Sequence, residues 1–206
     1  MLKLWGRLNS INVLKVVLAL EEIGLDYERT DAGLSYGVNN TPEYRAMNPN
    51  GLVPTIDDDG FVLWESNAIV RYLCAVHAAG RLWPEDPRVR ADADRWMDWQ
   101  TTTLNSLMVP SFAGLVRTPP EKRNAEAIET SRSKTDAAVG LLDAKLEGQD
   151  YIAGGSYSMA DIALAPIMHR WLNMPVERSR YENVARWYAN VMARPVSSKV
   201  LTLPIT

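Results

Sequence analysis

Ser10 and Asn12 stand two residues apart where a short strand-like segment gives way to a helix-like one. A hydroxyl and a side-chain amide at such a junction can donate to a forming anion, and the positive end of the helix adds to the effect. The same residues have an ordinary use, since Ser10, or Asn9 before it, can simply cap the helix. Glu65-Ser66 opens a later helix, where free N–H groups and a hydroxyl suit a carboxylate. Taken alone, Ser66 would be an N-cap and Glu65 a solvated charge. Between them lies Val53-Pro54, a proline at the entrance of a strand, where its missing N–H is tolerated.

Other reactive types are scarce. With the single cysteine, Cys74, no intrachain disulfide can form, and with only two histidines, His77 and His169, a conventional metal site is not expected. Cys74 shares an apolar helical stripe with Val70, so it is expected to be buried and inert. Ser158-Met159-Ala160-Asp161 has the spacing of a capping box, with Tyr157 and Ile162 placed as a hydrophobic staple. It is read as a stability device worth about 1–2 kcal/mol rather than as chemistry.

The elements that must position these residues follow from periodicity and punctuation. Leu2 to Trp5 alternates and ends at Gly6, as a short strand does. Val13, Val17 and Leu20 then define a helical face that Gly24 closes. Residues 27–32 read as a second strand, and Thr41-Pro42 as the start of a short helix. Asp59-Gly60 joins two strands in a tight hairpin, and Ser66 opens a helix reaching about Gly80. The order β-α-β-α-β-β-α predicts a small mixed sheet with helices packed on it. Beyond Trp83-Pro84, strand signals almost vanish. Helices are predicted at 88–107, 121–146, 159–172 and 181–193, punctuated by Pro110, Pro119-Pro120, Gly154-Gly155 and Pro175. The division is 1–79, a linker at 80–86, and 87–206.

Composition narrows the function classes. The chain has 206 residues, 47% of them hydrophobic, and seven tryptophans, which is ample for a substantial core. A formal net charge of −3 argues against a nucleic-acid surface and removes the simplest case for an acidic membrane. No stretch has the length of a membrane span, and the N-terminus does not read as a signal peptide. A cytoplasmic protein is expected.

Four stretches together resemble the cytosolic glutathione transferase superfamily, and in particular its bacterial members of Ser/Thr/Asn type. They are Ser10-Ile11-Asn12-Val13-Leu14-Lys15, Asn48-Pro49-Asn50-Gly51-Leu52-Val53-Pro54, Glu65-Ser66-Asn67-Ala68-Ile69 and the Ser158–Asp161 box. Each is short, but their order and spacing cover essentially the whole chain. The resemblance implies an α/β thioredoxin-like N-terminal domain (1–79) that binds glutathione, and an all-α C-terminal domain (87–206) that shapes the second-substrate pocket.

The resemblance also implies roles. Pro54 would be cis, presenting the Val53 backbone to an extended tripeptide as an added strand would. Ser66 would take the γ-glutamyl carboxylate, Glu65 would help with its ammonium, and Asn39 would contact the glycine end. Leu52 departs from the family pattern, where Lys or Arg often precedes the Val-Pro pair. Ser10 and Asn12 would stabilise the glutathione thiolate. Lowering a thiol pKa from about 8.5 by about two units needs roughly 2.7 kcal/mol. One hydrogen bond to a charged acceptor supplies about 1.5–3 kcal/mol. A tyrosine-type catalyst is unlike this chain, which has no Tyr before Tyr27.

The candidate pocket walls are Trp99, Thr103, Leu107, Phe112 and Val116, with Trp96 read as core. A homodimer is implied, with the 66–79 helix against the partner's 88–107 helix. Arg71 and Asp98 are its candidate cross-subunit pair, Asp98 otherwise reaching the partner's glutathione. The activity implied is glutathione transfer to a small hydrophobic electrophile. Two rivals remain: a glutathione-dependent disulfide-bond reductase without a protein cysteine, and a non-catalytic binding or regulatory module.

Overall fold

The computed structural model describes residues 1–202, 204 and 205. Its sheet is made of β1 (Leu2–Trp5), β2 (Tyr27–Thr30), β3 (Thr55–Asp58) and β4 (Phe61–Trp64), in the order β2-β1-β3-β4. β1 and β2 run parallel, with Leu4 opposite Arg29. β3 is antiparallel to both neighbours, pairing Ile56 with Leu4 on one side and Leu63 on the other. The hairpin turn forms because Asp59 and Gly60 both take positive φ, 50° and 94°, and Asp57 accepts the Gly60 N–H at 2.7 Å.

α1 (Ile11–Ile23) crosses over between the parallel strands and stops at Gly24, whose φ of 81° turns its N–H onto the Leu20 carbonyl. The spacing of Val13, Val17 and Leu20 predicts one buried face, but every residue from Val13 to Leu20 is buried. The reason is packing on two sides: α1 lies against α3 (Ser66–His77) and also against α7 (Met159–Asn173). α2 (Pro42–Met47) begins as expected, with Thr41 accepting from the Tyr44 N–H at 3.2 Å.

The linker is bound into this arrangement. Leu82 is buried, and its carbonyl accepts from the Met159 N–H at 3.0 Å. A single apolar core runs from Leu2 to Leu201 through both halves.

The helical half departs from expectation at three places. The first long helix does not end at 107, nor does Pro110 interrupt it. α4 (Pro87–Trp99) continues through a π turn at Gln100–Leu104 into α5 (Asn105–Phe112), which contains Pro110, and on through a second π turn at Ala113–Arg117. The chain tolerates the proline because α6 (Ala125–Lys145) intervenes in the ladder beside it. The Ser131 hydroxyl donates to the Leu107 carbonyl at 2.5 Å and accepts the Ser111 N–H at 3.0 Å, joining two groups an unbroken helix would pair directly. α6 itself starts four residues later than 121, where Asn124 accepts from the Ala127 N–H. After α8 (Glu182–Met192) comes α9 (Pro195–Val200), which periodicity did not reveal.

The Ser158–Asp161 capping box is present at the head of α7. Asp161 does more than cap. Fully buried, it accepts from the Ser158 and Ile152 N–H groups, both at 2.9 Å, and from the Trp187 indole at 2.8 Å. Burial pushes its carboxyl up to about 6 against the pull of those donors.

Candidate active site

Ser10 occupies the N-cap of α1 with extended backbone, and its side chain makes no capping bond. Thr41, Asp86, Asn124 and Ser158 all spend theirs on capping α2, α4, α6 and α7. The Ser10 hydroxyl is therefore committed to nothing in its own helix, although the residue is only 8% exposed. Asn12, in the first turn of α1, is half-buried and makes no side-chain hydrogen bond among the described residues. The Ser10 N–H is tied back to the Arg7 carbonyl at 3.2 Å, which fixes the junction.

Val53-Pro54 is cis. The segment before it is braced by α2: the Tyr44 hydroxyl and the Asn48 amide both donate to the Leu52 carbonyl, at 2.5 and 2.9 Å. Asn39 donates to the Gly51 carbonyl at 2.7 Å, so this candidate glycine-end residue also holds the loop. A Cβ on Gly51 would come within 3.0 Å of both the Arg45 guanidinium and the Asn39 carbonyl, which places an arginine where Leu52 offers no charge.

Glu65 precedes α3 with φ 70° and ψ 111°, a conformation strained for any residue other than glycine. Such strain persists only where the surroundings dictate it, and it concentrates at ligand sites. The Glu65 side chain is exposed and does not cap the helix, leaving the α3 N-terminus to Ser66.

Behind Ser66 lies a residue that sequence reasoning passed over. Lys15 is completely buried, and its ammonium donates to the Asn67 amide oxygen at 3.1 Å, to the Ser66 hydroxyl at 3.5 Å and to Gln100. All three partners are neutral. Burial lowers the lysine to about 7, against the pull of Glu65. Asn67 in turn donates to the Met97 carbonyl at 2.7 Å, coupling α3 to α4. A lysine within the Ser10–Lys15 string gave no sign of burial, because the groups that receive it, Ser66, Asn67 and Gln100, come from far along the chain.

The candidate pocket walls do not converge. Trp99 packs edge-on to Trp96 beside Arg95, around an open hollow of about 420 Å³. Leu107 lines a different hollow between α5 and α6 with Pro110 and Ser131. Thr103 and Val116 are half-buried, and Phe112 is buried under two arginines, Arg170 at 3.8 Å and Arg117 at 4.8 Å from its ring centroid. Arg71 pairs with Asp94 at 2.7 Å and Asp98 at 2.6 Å within the same chain, which corrects its assignment to a cross-subunit pair.

Family comparison agrees with this geometry. The glutathione S-transferase N-terminal domain family matches residues 1–75, and the glutathione S-transferase C-terminal domain family matches residues 104–195. The chain belongs to the glutathione S-transferase family. This transferase is 45% identical over 208 residues to "Glutathione S-transferase GstB" of Escherichia coli (strain K12), with 100% of both chains covered. It is 30% identical over 215 residues to "Probable glutathione S-transferase GSTF2" of Oryza sativa subsp. japonica, covering 98% of this chain and 96% of that one. Among solved structures, the theta class glutathione S-transferase of Xanthomonas axonopodis pv. citri with glutathione bound has a TM-score of 0.96 and 41% identity. It covers 100% of the transferase described here and 99% of its own chain. The four-stranded mixed sheet followed by helices is thus the glutathione S-transferase fold, with a thioredoxin-like first half.

Proposed function

We propose that the chain binds glutathione along the edge formed by the Val53 loop and the start of α3, and activates its thiol at Ser10 for attack on a small electrophile. The observation that carries this reading is the Ser10 hydroxyl, nearly buried at a helix N-terminus yet unused as a cap. The Ser66 hydroxyl and the free α3 N–H groups suit the γ-glutamyl carboxylate, and the exposed Glu65 suits its ammonium. Val53 offers its backbone to the cysteinyl residue. Asn39, with Arg45 beside it, faces the glycine end.

Ser10 and Asn12 then share the thiolate. The sulfur's electron pair forms the new bond to the electrophilic carbon, and the leaving group departs with the pair of the bond that breaks. The thiol proton has already passed to water. We assign Phe112, Val116 and Thr103 to the second-substrate side, with residues 1–79 and 87–206 as the two working halves. Trp99 and Leu107 look into other hollows.

A cytoplasmic homodimer with a detoxifying role fits this reading. Light scattering should give twice the mass of the chain, and a monomer mass would remove the dimer. The function is tested by calorimetry with glutathione and by parallel assays with a neutral aryl halide and a small disulfide. Binding with aryl halide turnover supports the transferase. Turnover of the disulfide alone would make the protein a reductase, and binding without either reaction would make it a binding module.

A further inference from the structure

One helix reaches both ends of the proposed glutathione site. Ser10 stands at the N-cap of α1, and Lys15, in the second turn, reaches the start of α3 at Ser66. Lys15 is wholly buried, as are Val13, Leu14, Val16 and Val17 around it in the same helix. Taking an ammonium out of water is strongly unfavourable, and neutral acceptors recover only part of the difference. A neutral side chain could tie α1 to α3 and α4 at lower cost.

The partners of the ammonium are all neutral: Asn67 Oδ1 at 3.1 Å, Ser66 Oγ at 3.5 Å and Gln100 Oε1. Gln100 turns its oxygen to the lysine although its own amide nitrogen is left buried without a partner among the described residues. Two charges act on Lys15. They are Glu65, exposed before α3, and Arg71 within α3. Arg71 is itself paired with Asp94 and Asp98 of α4. The other helices packed on α1, α7 and α9, contribute no charge that acts on the lysine. Among the described residues, no carboxylate forms an ion pair with it.

The direction of the contact with Ser66 matters. An ammonium can only donate, so it occupies a lone pair of the hydroxyl oxygen and leaves the hydroxyl hydrogen to point elsewhere. Ser66 is the first residue of α3, where the leading N–H groups have no partner within the helix. A carboxylate set against that N-terminus would meet the hydroxyl hydrogen and the N–H groups, with the lysine charge one hydroxyl behind them.

We infer that Lys15 is a positioning residue that sets specificity for the thiol substrate. It turns the Ser66 hydroxyl outward as a donor and supplies the counter-charge for the α-carboxylate of the γ-glutamyl end, so thiols lacking that carboxylate are disfavoured. This rests on the glutathione reading of the site and adds to it the group that senses the carboxylate from behind. The bound anion would in turn keep the lysine charged, against the burial that lowers it to about 7 in the free protein.

The test compares S-methylglutathione with its decarboxylated counterpart, in which γ-aminobutyryl replaces γ-glutamyl. The two differ only in the α-carboxylate, and neither has a thiol to titrate. By calorimetry the wild type should prefer S-methylglutathione. Lys15→Met should cut that preference by about tenfold or more, the worth of one charge-assisted contact, while affinity for the counterpart stays nearly unchanged. Equal losses for both ligands would make Lys15 purely structural and overturn the inference. Should the variant fail to fold, or the counterpart bind too weakly to measure, proton linkage of the wild type decides. Near pH 8, S-methylglutathione should bind with uptake of about half a proton or more. Binding without uptake overturns the inference while leaving the glutathione reading intact. Failure of the wild type to bind S-methylglutathione at all overturns that underlying reading instead.

Discussion

Lys15 on α1 donates to the Asn67 side chain on α3 at 3.1 Å, and Asn67 hands the contact on to the Met97 carbonyl of α4. One buried cation thus holds three helices in register behind Ser66. The arrangement has a pH signature. Folding lowers Lys15 from 10.5 to about 7, so between those values the unfolded chain holds a proton that the folded chain releases. Stability from this group therefore rises with pH across that window, and below it the buried charge destabilises in full. Lys15→Met abolishes the dependence. Urea unfolding at about pH 7 and about pH 9 should show the wild type gaining on the variant; parallel shifts would mean Lys15 titrates normally.

An anionic ligand at Ser66 would supply the counter-charge that Lys15 lacks among its three hydrogen-bond partners. Binding of S-methylglutathione, which has no thiol to titrate, should take up protons near pH 8. Calorimetry in buffers of different ionisation enthalpy measures this. Ser66→Ala should weaken glutathione by about tenfold or more, the loss of one hydrogen bond to a charged group. Unchanged affinity would return Ser66 to a purely structural role.

Ser10→Ala should raise the pKa of the bound thiol while changing glutathione affinity little, because the lost bond matters chiefly to the ionised form. Thiolate absorbance and the pH–rate profile report it. Asn12→Ala should shift the profile in the same direction. If neither change moves it by about half a unit, the helix N–H groups alone stabilise the sulfur.

Asp161→Ala should destabilise the fold by about 3–5 kcal/mol, well beyond a simple cap, since it strands the Ile152, Ser158 and Trp187 donors together. Glutathione affinity of the folded fraction should persist. Thermal melts and calorimetry on the same sample separate the two effects.

Cys74 is wholly buried, and burial pushes its thiol up to about 12. A disulfide reagent should leave it unmodified in the native protein and react with it fully in denaturant. Rapid native labelling would place it in an accessible environment instead.

Features written in local punctuation were legible from the chain itself. Thr41-Pro42, Asp59-Gly60 and the Ser158–Asp161 box each carry their geometry within a few residues, and each forms as the spacing predicts. Features that depend on what covers a residue were not. Lys15 reads as a solvated charge until α3 and the π turn at Gln100 close over it. Arg117 and Arg170, which meet over the Phe112 ring, lie far apart in the sequence, and nothing local joins them. Pro110 misled for a related reason: the hydroxyl that accommodates it belongs to Ser131, on another helix. In the candidate site, residues drawn from the short motifs were readable, while the cations around them came only from the packing.

The two π turns in the Pro87–Arg117 rod have a consequence for how this protein could change by insertion and deletion. A π turn is in effect one surplus residue absorbed into a helix, and each residue rotates the downstream helix by about 100°. Excising one residue within Gln100–Leu104 would let a regular α-helix form, so the backbone would tolerate the loss. Because the turn already absorbs the surplus residue, the side chains beyond it would keep their phase and Phe112 would stay under Arg170, whereas excision outside the π turns would rotate the downstream helix by about 100°. The π turns would thus act as length buffers, where losing one residue leaves the facing of the downstream side chains unchanged, while the same loss elsewhere in the rod would reset it.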